Sequence, residues 1–102
     1  MKREFVSIAL LALLVSGCQR APLSQEQIDL AACRKAITAT LIDPDSAQFS
    51  EEHFGFEKER EIGRDRVYLL TVNAKNRMGG YAGRKVTYCN VDSVSGAVLG
   101  VT

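Results

Sequence analysis

Hydrophobic residues follow four different spacings along this chain, and each spacing implies a different element. Phe5 to Val15 is an apolar run of 11 residues behind a basic start, Met1-Lys2-Arg3. Leu30, Cys33, Ile37 and Leu41 recur at intervals of three and four, one narrow stripe on a helix. Arg66 to Lys75 (RVYLLTVNAK) is dense in β-branched and aromatic residues, with apolar groups on both faces as a central strand requires. Lys85 to Asp92 (KVTYCNVD) is a second clear strand.

The polar punctuation between these stretches sets their limits. Ser24-Gln25-Glu26-Gln27 fits a capping box, so a helix starts at Ser24. Ala31, Ala32, Ala36 and Ala39 favour it, and Pro44 predicts its end near Ile42, because helical geometry is disfavoured at Asp43. Asp43-Pro44-Asp45-Ser46 then predicts a tight turn or one 3₁₀ turn, with the Asp43 carboxylate capping the amides that follow. A strand is expected from Ala47 to about Glu57. Glu57 to Asp65 (EKEREIGRD) reads as a solvated connection or a splayed hairpin tip. Asp92 to Gly96 supplies a turn, and Ala97 to Val101 pairs back as a last strand. The fold class is α+β, one N-terminal helix packed on a four-stranded antiparallel meander.

The first apolar run has the length of a secretory signal core and falls short of the roughly 20 residues that span a bilayer. Leu14-Val15-Ser16-Gly17-Cys18 resembles the lipobox of bacterial lipoproteins, in which the cysteine is acylated and becomes the new N-terminus. That resemblance implies a signal peptide over 1–17, a lipidated tether over 18–23 with Cys18 in the membrane, and a single domain over 24–102. Gln19, where an aspartate would retain the protein at the inner membrane, implies the outer membrane and its periplasmic face under the enterobacterial sorting rule. Five extended residues from Gln19 to Leu23 reach about 17 Å, which keeps the domain near the membrane surface.

Removing 1–17 from the 102 residues leaves 85, and removing Lys2, Arg3 and Glu4 from 13 basic and 12 acidic residues leaves 11 of each. A balanced charge gives no broad electrostatic case for nucleic acid. A domain of this size buries only about 60–65% of its unfolded surface, so a covalent staple helps. With Cys18 taken by lipid, Cys33 and Cys89 remain, and the oxidising periplasm implies a disulfide worth roughly 4 kcal/mol. Such a bond requires Cys89, Thr87 and Val91 on the covered face and turns Val86 and Tyr88 to the other. That second face is either a partner surface or part of a second small core formed by curling of the sheet.

Little in the chain suggests catalysis. His53 is the only histidine, and strand alternation puts Glu51 and His53 on one face with Ser50 and Glu52 on the other, which is no triad. No third or fourth ligand at usable spacing joins the cysteines for a metal, and Asp43 and Asp45 lack further oxygen ligands for a cation. No cofactor is implied. The segment Asn76 to Gly83, between two strands, is longer than a tight turn needs. Its glycines let backbone amides approach a ligand, and Lys75, Arg77, Arg84 and Lys85 flank Tyr81 with the means to hold an acidic partner.

LIDPDSAQF, Leu41 to Phe49, together with VNAKNRMGGYAG, Val72 to Gly83, resembles a family of small uncharacterised proteobacterial and prophage proteins with a DPxSAxF turn and a VNAKNxxGGYxG segment. The likeness covers about Ile37 to Cys89 and implies a location of interest without an activity. The expected function is a non-catalytic periplasmic binding module that meets an envelope protein or acidic glycan through Asn73, Lys75, Asn76, Tyr81 and Arg84. Tyr81 would supply contact area, the asparagine amides hydrogen bonds, and the basic groups orientation. The alternative is an inhibitor or immunity-like lipoprotein against a periplasmic cell-wall or phage enzyme. A hydrolase using His53 is the third reading.

Overall fold

Ser24 opens the helix as a capping box. Its Oγ accepts the Gln27 N–H at 3.2 Å, and Gln27 Oε1 accepts the Ser24 N–H at 2.8 Å. Helix α1 spans Gln25–Thr38 in the computed structural model, which describes residues 21–102. The expected signal peptide, Cys18 and the first part of the tether lie outside the described residues. The helix stops at Thr38, short of the expected Ile42. Threonine hydroxyls end it: Thr38 and Thr40 donate to the Arg34 and Ile37 carbonyls, each at 2.7 Å. The Thr40 and Leu41 amides then bond three residues back, to Ile37 and Thr38, tightening the last turn.

A 3₁₀ turn, Pro44–Ser46, follows with Pro44 at its first position. The Asp43 carboxylate does not cap it, contrary to expectation. Instead the Asp43 carbonyl accepts both the Ser46 amide at 3.1 Å and the Ser46 hydroxyl at 2.7 Å.

Strands β1 Gln48–Glu59, β2 Arg64–Asn73, β3 Lys85–Asp92 and β4 Val98–Val101 form one antiparallel meander in that spatial order. The first hairpin is tighter than the expected connection over Glu57 to Asp65, because its charges pair across the strands. Lys58 stands opposite Asp65 and Glu59 opposite Arg64, whose guanidinium reaches Glu57 and Glu59 at 3.0 and 2.9 Å. At the same end, Arg60 pairs with Asp65 and, at 2.6 Å, with Asp92.

Strict alternation fails in β1. The register shifts between Ser50 and His53 and again between Phe54 and Phe56, and Glu51 takes φ 52°. The extra residue puts Ser50, opposite Thr71, and His53, opposite Leu69, on the same face, where regular pleating separates them. Glu52 turns to the helix instead and meets Arg34 at 2.6 Å.

The core joins Leu30, Cys33 and Ile37 of α1 to Tyr68, Leu70, Val72, Cys89 and Val91 of the sheet. Cys33 and Cys89 form a disulfide with Cα atoms 5.9 Å apart, across a sequence separation of 56 residues. Thr87 and Val91 share the covered face with Cys89, and Val86 and Tyr88 take the other, at 51% and 42% exposure. Val67 is buried on that far face, but Phe56 beside it is exposed. The sheet therefore builds no second core there among the described residues.

Candidate functional site

The connection between β2 and β3 is a shaped loop. β2 stops at Asn73 rather than Lys75, and Lys75 and Tyr81 then form an isolated antiparallel bridge that divides the segment. Inside the bridge, Asn76 folds the tip. Its Oδ1 accepts the Met78 and Gly80 amides at 2.9 and 3.3 Å, its amide donates to the Gly80 carbonyl at 2.8 Å, and its carbonyl accepts the Gly79 amide at 3.0 Å. Gly79 has φ 85°, which a side chain rarely adopts. Outside the bridge, Asn73 Oδ1 accepts the Gly83 amide at 3.0 Å and Ala74 accepts that of Ala82 at 3.0 Å.

The loop is also tied to the turn after α1. The Lys75 amide donates to Ser46 Oγ at 2.8 Å, while that hydroxyl donates to Asp43. The DPDS and VNAKN segments, distant in sequence, therefore meet through one hydroxyl. Lys75 Nζ lies 5.8 Å from the centre of the Tyr81 ring, a cation–π contact on an exposed ring.

The five expected contact residues divide on this geometry. Asn73 and Asn76 spend their side-chain oxygens inside the loop, which leaves only their NH₂ groups for a ligand. Lys75 and Tyr81 are brought together. Arg84 is exposed at the start of β3, and neither it nor Lys75 or Lys85 makes an ion pair among the described residues. Between the loop and the end of α1 runs a shallow groove of about 240 Å³, lined by Leu41, Ile42, Val72, Ala74, Ala82 and Lys85 among others.

A polar cluster that the sequence reading passed over lies at the other end of the helix. Asp29 is 1% exposed and accepts four contacts: Gln25 Nε2 at 2.8 Å, Arg66 Nε at 2.7 Å and Nη2 at 3.4 Å, and Tyr68 OH at 2.6 Å. Burial alone raises the pKa of this carboxyl, but the hydrogen bonds from Arg66, Tyr68 and Gln25 outweigh it and hold it below the usual value of 3.8. Burial, reinforced by the bond to Asp29, pushes the Tyr68 hydroxyl up to about 12. The signal was present: Asp29 lies four residues before Cys33 and eight before Ile37, a charge placed on the buried stripe.

Family models, curated proteins and solved structures give no match to this chain. Its chemistry therefore rests on the residues alone. His53 is exposed and shares a face with Ser50, opposite Leu69 and Thr71 of β2, with no carboxylate bonded to its ring. Among the described residues, no group of three or more His, Cys, Asp or Glu side chains is placed to hold a metal ion.

Proposed function

We propose that this protein is an outer-membrane lipoprotein, anchored through acylated Cys18, whose domain is a non-catalytic binding module on the periplasmic face. The loop between β2 and β3 is its contact surface. The preformed loop carries the reading. Asn73, Asn76 and Ser46 fold its backbone from within, so Tyr81 at 44% exposure and the basic groups of Lys75 and Arg84 stand on a framework already ordered before contact. Ordering a loop in advance lowers the entropy lost on association, and a tyrosine on a fixed turn gives contact area at small further cost.

Chemical crosslinking of the lipoprotein in its own envelope, followed by identification of the captured species, tests this reading. Tyr81→Ala with Arg84→Ala should leave the fold intact and remove the partner; retention of every partner by that double variant sinks the idea. Cys18→Ser should release the protein from the membrane fraction and end its labelling by a palmitate analogue. The competing inhibitor reading uses the same rigid loop to occlude an enzyme, and a cell-wall hydrolase assay with purified protein separates the two.

A further inference from the structure

The groove between the loop and the end of α1 continues the core outward. Its floor is Val72, a core residue at 6% exposure, and Leu41, half-buried against the same core, lines its helix side. Ala74, Ala82 and Gly83 keep it open, because none carries a side chain beyond a methyl group. Ile42 beside it is 63% exposed, an aliphatic side chain left largely to solvent. Such a trough gains free energy when an apolar group leaves water to fill it. At about 240 Å³ it falls below the roughly 300–1,000 Å³ of sites that enclose a whole small molecule. It suits one anchoring side chain instead.

The charge of the groove is of one sign. Lys75 and Lys85 both line it, Lys85 directly opposite Val72 in the β2–β3 ladder, and neither makes an ion pair among the described residues. Asn76 lines it as well, its Oδ1 already bound to the Met78 and Gly80 amides and its NH₂ left as a donor. Among the described residues no carboxylate lines it, and Asp43 and Asp45 of the neighbouring turn lie outside. A ligand that fits therefore brings an apolar group and an anion close together. In an extended internal segment successive side chains point to opposite sides, so a carboxylate next to an apolar anchor points away from it. A C-terminal residue escapes that rule, since its side chain and its α-carboxylate share one Cα.

We propose that the groove receives the C-terminal residue of a partner protein. An aliphatic side chain lies on Val72 and Leu41, and the α-carboxylate sits between the Lys75 and Lys85 ammonium groups with the Asn76 NH₂ donating to it. This deepens the binding-module reading and rests on it, because the groove is bounded by the same loop. Tyr81 and Arg84 stand outside the groove and meet the partner upstream of its last residue. Charge-assisted bonds to the carboxylate select a free terminus, and the apolar floor selects the residue that bears it. A last residue without an aliphatic side chain leaves the floor exposed and binds weakly.

The test uses the full-length chain, oxidised, ¹⁵N-labelled and carried in lipid nanodiscs. It is titrated with the peptide acetyl-serine-glycine-serine-glycine-leucine bearing a free C-terminal carboxylate. Amide shifts should saturate at Val72, Ala74, Ala82 and Lys85. Amidation of the peptide C-terminus should weaken binding about tenfold, and so should glycine in place of leucine. Lys75→Gln together with Lys85→Gln should erase the difference between acid and amide while the preference for leucine over glycine stays. Ala82→Leu, which fills the groove from an exposed position, should abolish binding, and the peptide series on the native chain decides alone if that variant misfolds. Equal affinity of the native chain for acid and amide, or for leucine and glycine, overturns the proposal, as does undiminished binding to folded Ala82→Leu. Tighter binding of octanoate than of the leucine peptide assigns the groove to an acyl chain and also refutes it. Shifts confined to Tyr81 and Arg84 overturn it while leaving the loop as a contact surface. No shift anywhere overturns it too, and the envelope crosslink then decides the loop alone.

Discussion

Asp29→Asn is the substitution that most directly probes how the helix is held to the sheet. The native carboxylate is buried and meets Gln25, Arg66 and Tyr68, with three contacts between 2.6 and 2.8 Å and a weaker fourth at 3.4 Å. An asparagine keeps one acceptor oxygen and turns an NH₂ donor against either the Arg66 guanidinium or the Tyr68 hydroxyl. Arg66 retains the Ser93 carbonyl at 3.0 Å but loses its counter-charge. Breaking a buried pair from one side costs about 3–5 kcal/mol. Against a total of about 4–12 kcal/mol for a domain of this size, that is a large fraction. Urea denaturation with the disulfide intact measures it. At a slope of about 1 kcal/mol per molar, the midpoint should fall by about 3 M or more. Arg34→Gln is the control: the Arg34–Glu52 pair is equally short at 2.6 Å, but its arginine is 40% exposed, so its loss should cost under about 1 kcal/mol. The pH dependence carries the same signature. The Asp29 pKa is depressed in the folded state, so its contribution is complete above the ordinary carboxylate value of 3.8 and is lost as pH falls through the lower folded value. Asp29→Asn should remove that part of the acid limb. A loss no larger than that of Arg34→Gln, with an unchanged acid limb, would refute the view that this cluster tethers the helix.

Tyr68 gives the alkaline counterpart. Its pKa, raised from 10.0 to about 12, means stability that is complete below pH 10 and lost as pH rises through about 12. The stake is about 2–3 kcal/mol, and Tyr68→Phe should flatten urea midpoints over that window. Oxidised and reduced protein should differ by the mass of two hydrogens, and reduction should lower stability by roughly 4 kcal/mol in denaturant titrations. Asn76→Ala removes the acceptor for the Met78 and Gly80 amides, so exchange at those two amides should quicken while global stability changes by less than about 1 kcal/mol.

Local chemistry was the legible part of the sequence. The capping box, the stripe through Leu30, Cys33 and Ile37 and the apolar density of β2 each follow from short-range spacing, while the pairing of Cys33 with Cys89, 56 residues apart, follows from their being the two cysteines left beside the lipobox one. The reading erred where a tertiary partner or an inserted residue decided the outcome. Cross-strand ion pairs at Arg64 lengthened the first hairpin, and the bulge near Glu51 moved Ser50 and His53 onto one face. Asp29 sits on the stripe but breaks its apolar character, and spacing within the helix alone names no partner for a buried carboxylate. Only the alternation that puts Arg66 and Tyr68 on the covered face reveals its role.

The same distinction sorts the loop. VNAKNRMGGYAG suggests a binding motif because it is rich in amides, glycines and basic groups, yet its parts act at two levels. Asn73, Asn76 and Gly79 are consumed in making the backbone path, and Ser46 of the preceding turn holds that path at Lys75. Tyr81, the Lys75 ammonium, Arg84 and Lys85 are left facing outward. A two-part motif joined by one hydroxyl therefore needs no ligand to explain why its segments go together, since geometry alone requires both. What geometry does not require is the residue types on the outside. An exposed tyrosine beside one lysine, followed by two adjacent exposed basic residues where β3 begins, adds nothing to the loop's own hydrogen bonding. These are the positions on which the binding reading depends.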